Sequence, residues 1–148
     1  MEKLQLHFGQ AVDLLIEEKK YHEALVKIDS APKVITREPK YALRRGVIHL
    51  NLKKYDEALS ELKTYLTENP KNPLVLREIG IAYANKNMMD QATDHFSRAS
   101  IEEPMNGMNH AWLAWALESK KEFSRARDEW KKAVEFLRSL QPSALSPR

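Results

Sequence analysis

Residues 73–106 read PLVLREIGIAYANKNMMDQATDHFSRASIEEPMN, and residues 39–72 read PKYALRRGVIHLNLKKYDEALSELKTYLTENPKN. The second stretch is the first in a different hand. Gly46, Tyr55, Ala58, Leu62 and Pro70 recur, at one constant offset, as Gly80, Met89, Ala92, Phe96 and Pro104. The same frame runs outward to Tyr21, Ala24, Ile28 and Ala31 on one side, and to Phe123, Ala126, Trp130 and Ala133 on the other. Self-similarity at a period of about 34 residues marks an array of helical repeats, each one supersecondary unit that buries its apolar face only against its neighbours. The frame divides the chain into repeats 5–38, 39–72, 73–106 and 107–140, with a tail 141–148, all within one domain spanning 1–148.

The copy at 73–106 shows why each repeat folds as two helices. Asn72 is a good N-cap, and Pro73 suits the first turn, where its missing N–H is harmless. Leu76, Ile79, Gly80 and Tyr83 fall on one helical stripe. Asn87 stands in a short turn. A second helix starts near Met89–Asp90, carries Ala92, Phe96 and Ala99 on its inner stripe, and stops at Pro104. Gly80 and Ala92 let two antiparallel helices approach closely, and Phe96 fills the space beside them. A glycine inside a helix costs about 1 kcal/mol against alanine, so its recurrence at 46 and 80 points to packing.

Composition agrees. The chain has 148 residues, 43% apolar and 30% charged, with Lys plus Arg exceeding Asp plus Glu by 3. The two signs interleave, which speaks against a nucleic-acid-binding stripe. The absence of cysteine excludes disulfides, thiolate metal sites and a cysteine nucleophile. Asp13 breaks the one apolar run near the N-terminus, and no segment reaches the ~18 apolar residues of a membrane span. A cytoplasmic protein that touches no membrane is the expectation.

Chemistry is absent from the pattern. His7, His22, His49, His95 and His110 show no metal-ligand spacing; His49 falls in an apolar slot and reads as a hydrogen-bonded core histidine. There is no glycine-rich phosphate loop and no nucleophile elbow. No enzyme, no metal and no cofactor are expected. Trp130 occupies the phenylalanine slot of the fourth repeat and reads as core. Trp112 and Trp115 share one helix and cannot both be core without crowding.

These slots resemble the tetratricopeptide repeat family. The family's repeat carries a large apolar residue, Leu–Gly and Tyr in its first helix, then Ala, Phe, Ala and Pro. Leu76, Ile79–Gly80, Tyr83, Ala92, Phe96, Ala99 and Pro104 match it. The other copies depart: Arg45 and His49 take the leucine and tyrosine slots, Tyr65 a late alanine slot, Ala114 the glycine slot, Leu117 the tyrosine slot and Val12 the first repeat's glycine slot, where Pro32 also ends the second helix early. The resemblance implies an all-α, right-handed superhelix of four antiparallel helix pairs whose first helices line a concave groove. It implies groove positions at Leu43, Val47, Leu50, Asn51, Arg77, Ile81, Asn85, Met108 and Trp115. Asn51 and Asn85 would hold a peptide backbone, and Arg77 would pair with a ligand carboxylate. In one subfamily a lysine–asparagine clamp grips a terminal carboxylate; Gly9 and Asp13 stand in those slots here, so that clamp is absent. The residue after the second-helix alanine runs Leu25, Leu59, Thr93, Arg127, and with Lys131 implies a fourth repeat that caps itself. Phe136 and Leu140 read as local packing or as a self-association patch. The implied function is protein–protein interaction: a scaffold or chaperone-like adaptor for a peptide or helix with apolar anchors. A self-assembling structural subunit or a regulatory fragment of a larger assembly is the alternative, and a homo-oligomer fits either.

Overall fold

In a computed structural model of the chain, residues 2–140 are described; the proline-containing tail 141–148, expected to fray, lies outside them. The described residues form nine helices and no strand. They are α1 (Glu2–Glu17), α2 (Tyr21–Ser30), α3 (Lys33–Thr36), α4 (Pro39–Asn51), α5 (Tyr55–Glu68), α6 (Pro73–Asn85), α7 (Met89–Glu102), α8 (Gly107–Ser119) and α9 (Phe123–Ser139). Three of the repeat frames begin on the first residue of a helix: Pro39, Pro73 and Gly107. The Asn72 side chain accepts from the Val75 amide at 3.2 Å, as expected, and Asn106 does the same for Met108 at 3.0 Å. The helices fall into two compact units, one up to Glu68 and one from Asn69 onward.

Each helix pair turns through the same device. Lys19, Lys53, Asn87 and Lys121 stand in the same slot of successive repeats, and all adopt φ of 60–63°. At each one the amide donates to the carbonyl three residues back, and the next amide donates to the carbonyl five back: Lys20 to Leu15 at 2.8 Å, Lys54 to His49 at 2.8 Å, Met88 to Tyr83 at 3.0 Å and Glu122 to Leu117 at 2.9 Å. This is the Schellman termination, which satisfies carbonyls the helix end leaves over. It usually carries glycine; three lysines here hid it from sequence reading.

The unit up to Glu68 buries Val12, Ala24, Ile28, Ile35, Tyr41 and Ile48 in one cluster. As expected, α2 stops before Pro32; the unforeseen turn α3 follows and supplies Ile35 to this core. The Arg44 guanidinium donates twice to the Asp13 carboxylate, both at 2.7 Å, and crosses from α4 to α1. Its pKa is raised, first by that hydrogen bond, with burial working against it. Asp13 is therefore engaged by Arg44. Arg45, in a leucine slot, reaches Asp29 at 3.1 Å. The expectation of a hydrogen-bonded His49 fails: its Nδ1 is buried without a hydrogen-bond partner, as is the Tyr41 hydroxyl.

The glycines behave as their recurrence implies. A Cβ on Gly46 would stand 2.6 Å from the Leu62 side chain, and one on Gly80 2.6 Å from the Phe96 ring. Phe96 thus lies on Gly80 itself rather than beside the Gly80–Ala92 approach. Gly107, passed over in the sequence, packs the start of α8 onto α9, where a Cβ would meet the Ala133 carbonyl at 2.9 Å.

The unit from Asn69 onward centres on Ala84, Ala92, Phe96, Leu113, Ala116, Leu117 and Ala126. Polar ties brace it. Asn109 is fully buried; its carbonyl accepts from Arg77 at 3.0 Å and its amide donates to the Ala99 carbonyl at 3.3 Å. His110 is buried between the Glu129 carboxylate, 2.7 Å from Nδ1, and the Pro104 carbonyl, 2.6 Å from Nε2. Both ring nitrogens thus face oxygen atoms, one from a side chain and one from the backbone. Phe136 stacks on that ring with centroids 5.6 Å apart, so it is local packing, whereas Leu140 is exposed.

Burial pushes the Glu129 carboxyl up, but hydrogen bonds from His110 and Lys132 outweigh it and hold the group below the usual carboxylate range. A depressed carboxylate stabilises the fold above its unfolded pKa, about 4.3, and that stabilisation is lost as pH falls through the folded value. Glu78 works oppositely: burial raises it, with Arg77 offsetting only in part, so acid relieves its cost. Glu129→Gln should cost about 1.5 kcal/mol at neutral pH and flatten the acid limb of a Tm-versus-pH curve. An acid limb identical to wild type would show that Glu129 is not the group responsible.

Candidate interaction surfaces

The nine positions expected to line a groove divide between the two units. On α4, Leu43, Val47 and Leu50 are half-buried and Asn51 is exposed. The Asn51 amide donates to the Val47 carbonyl at 2.8 Å. On α6, Ile81 packs against the core cluster while keeping part of its surface, and the Asn85 amide donates to the Ile81 carbonyl at 2.9 Å. Ser119 repeats the motif on α8, donating to Trp115 at 3.0 Å. The residue in this slot thus closes the last turn of its own helix in three repeats. Arg77 is half-buried and bound to Asn109.

An exposed aromatic surface lies on α8. Met108 is 46% exposed and Trp115 38%. Trp112 turns the other way and stacks on Phe96 with centroids 5.6 Å apart, meeting Trp115 edge to face at 5.8 Å. One tryptophan is therefore packed and its neighbour presented, which resolves the crowding. Met108, Ala111, Trp112, Trp115 and Trp130 enclose an open hollow of about 430 Å³ whose walls are almost wholly apolar. Trp130 departs from expectation: it is only half-buried, because no described helix covers α9 as α8 covers α7.

Among the described residues no group of His, Cys, Asp or Glu stands in an arrangement that could hold a metal, and no helix is long and apolar enough to cross a membrane.

No protein-family model matches the chain, and no curated protein matches it. Solved structures do. MamA 41-end from Desulfovibrio magneticus RS-1 superposes with a TM-score of 0.83 over 91% of this chain and 76% of that one, at 21% identity. A crystal structure of MamA gives 0.83 over 93% and 81%, at 14% identity. MamA AMB-1 gives 0.76 over 86% and 76%, at 23% identity. MamA is a TPR-like protein built from helical repeats. The fold of this chain is that of the tetratricopeptide repeat. At these identities the likeness shows the fold alone. The TPR fold places Met108 and Trp115 on the first helix of the last described pair, on the side turned away from Leu113 and Leu117 in the core.

Proposed function

We propose that this chain is a non-enzymatic interaction module, a scaffold or adaptor that holds a peptide or helix of another protein against the first helices of its repeats. The observation that carries this reading is the tryptophan hollow. Large aromatic side chains cost free energy when left in water, and Trp is the type most often found where binding energy concentrates. Trp115 is held ready by its edge contact with Trp112, so little ordering is needed on binding. Ile81 and Met108 extend the apolar surface in the same unit, and Leu43, Val47 and Leu50 offer a second apolar strip on α4. A ligand covering about 400 Å² of apolar surface gains roughly 10 kcal/mol gross, of which association entropy consumes much, leaving roughly micromolar affinity.

The test is affinity capture with immobilised protein, followed by a binding measurement on the purified partner. Trp115→Ala should deplete the captured partner several-fold while Tm stays near wild type, since the indole is already part-exposed. Equal capture by wild type and Trp115→Ala, with both folded, would remove this surface from the account.

A further inference from the structure

Helix α8 rests in a seat formed by α7, with α6 at its edge. In that seat Phe96 is wholly buried, stacked by Trp112, and Thr93 and Ser100 are buried beside it. Advancing each position by one repeat gives the matching surface of α8 and α9. Trp130 stands for Phe96, Arg127 for Thr93, Lys131 for Ser97 and Val134 for Ser100. No described helix lies on it: Val134 is 51% exposed, and Arg127, Trp130, Lys131, Val134, Glu135 and Arg138 line an open hollow of about 460 Å³. Trp130 is also a wall of the hollow around Trp115, so the two form one continuous surface.

Charge narrows what fits. Arg127, Lys131 and Arg138 are spaced by four and seven, which puts them on one stripe of α9 beside Trp130 and Val134. None of them makes an ion pair among the described residues, and Glu135 is the one carboxylate of that hollow. The stripe runs about 16 Å, matching about eleven residues of a facing helix.

We propose that this face seats an amphipathic helix from a partner protein, lying as α8 lies on α7, with an apolar row on Trp130 and Val134 and Asp or Glu on the flank toward Arg127, Lys131 and Arg138. The inference rests on the reading of the chain as an interaction module and adds the partner's chemistry.

Fluorescence anisotropy on the full chain tests it with three labelled synthetic probes. One is a 15-residue helix with a leucine row flanked by glutamates; one carries lysines in their place; one is the acidic probe with a central proline. The acidic helix should bind at least about tenfold more tightly than either other probe, and more weakly as salt rises. The double variant Arg127→Glu with Lys131→Glu should reverse the preference toward the lysine probe; both residues are exposed, so Tm should hold. Equal binding of acidic and basic helices, no binding of the acidic helix, or a preference untouched by the charge reversal would overturn the proposal. Acidic-helix binding lost in Asn85→Ala but kept in the charge-reversed variant would also overturn it while leaving the first-helix surface standing. A captured partner that ignores Trp115→Ala would instead defeat the broader reading.

Discussion

Ala92→Arg abolishes cooperative unfolding of the protein at ordinary temperatures. Ala92 has no exposed surface and belongs to the cluster that joins α6, α7, α8 and α9. An arginine there must either displace Phe96 and Leu113 or bury a guanidinium without a partner. Overpacking alone costs about 1–3 kcal/mol, and an uncompensated buried charge adds about 3–5. Together they approach the about 5–15 kcal/mol that holds a domain of ordinary size. The measurement is a circular dichroism melt. A sigmoidal transition within a few degrees of wild type would mean that Ala92 does not occupy the inner stripe of α7, and the repeat frame would fall with it.

Gly80→Val destabilises by about 3 kcal/mol, and Phe96→Leu in the same molecule recovers part of the loss. Three ring carbons of Phe96 lie within 2.6–3.0 Å of where a Gly80 Cβ would be. Valine adds a branched side chain to that position, and a fully buried ring in a dense cluster has nowhere to move. Leucine is smaller than the ring and more easily rotated, so the two changes should couple favourably. Urea denaturation of the two single variants and the double completes the cycle. Additive losses would show that Gly80 and Phe96 do not share one space.

These two positions were legible because a helix pair needs a small residue opposite a large one, and the need recurs from one repeat to the next. Asn72 and Pro73 were legible as a helix start for local reasons. What stayed hidden was set by tertiary pairing. Arg44 finds Asp13, Arg77 finds Asn109 and His110 finds Glu129 across 19 to 32 residues of chain, and no local spacing announces such partners. Nothing nearby in sequence shows that α6 and α7 close over Asn109. The turn at Lys19, Lys53 and Lys121 escaped because lysine there is tolerated by the hydrogen bonds around it, not favoured by its own backbone preference. Of the candidate surface, the part built by one helix, Met108 with Trp115, was in view from the slots. The exposure of Trp130 was not, since the phenylalanine slot marks core only where another helix follows.

The first-helix face of the last described pair is proposed to bind another protein. Isothermal titration calorimetry with the partner recovered by capture tests it, comparing wild type, Trp115→Ala and Gln91→Ala, the last an exposed change on α7. Binding should be roughly micromolar for wild type and Gln91→Ala, and weaker by about tenfold or more for Trp115→Ala with Tm unchanged. Full affinity in Trp115→Ala together with lost affinity in Gln91→Ala would contradict it.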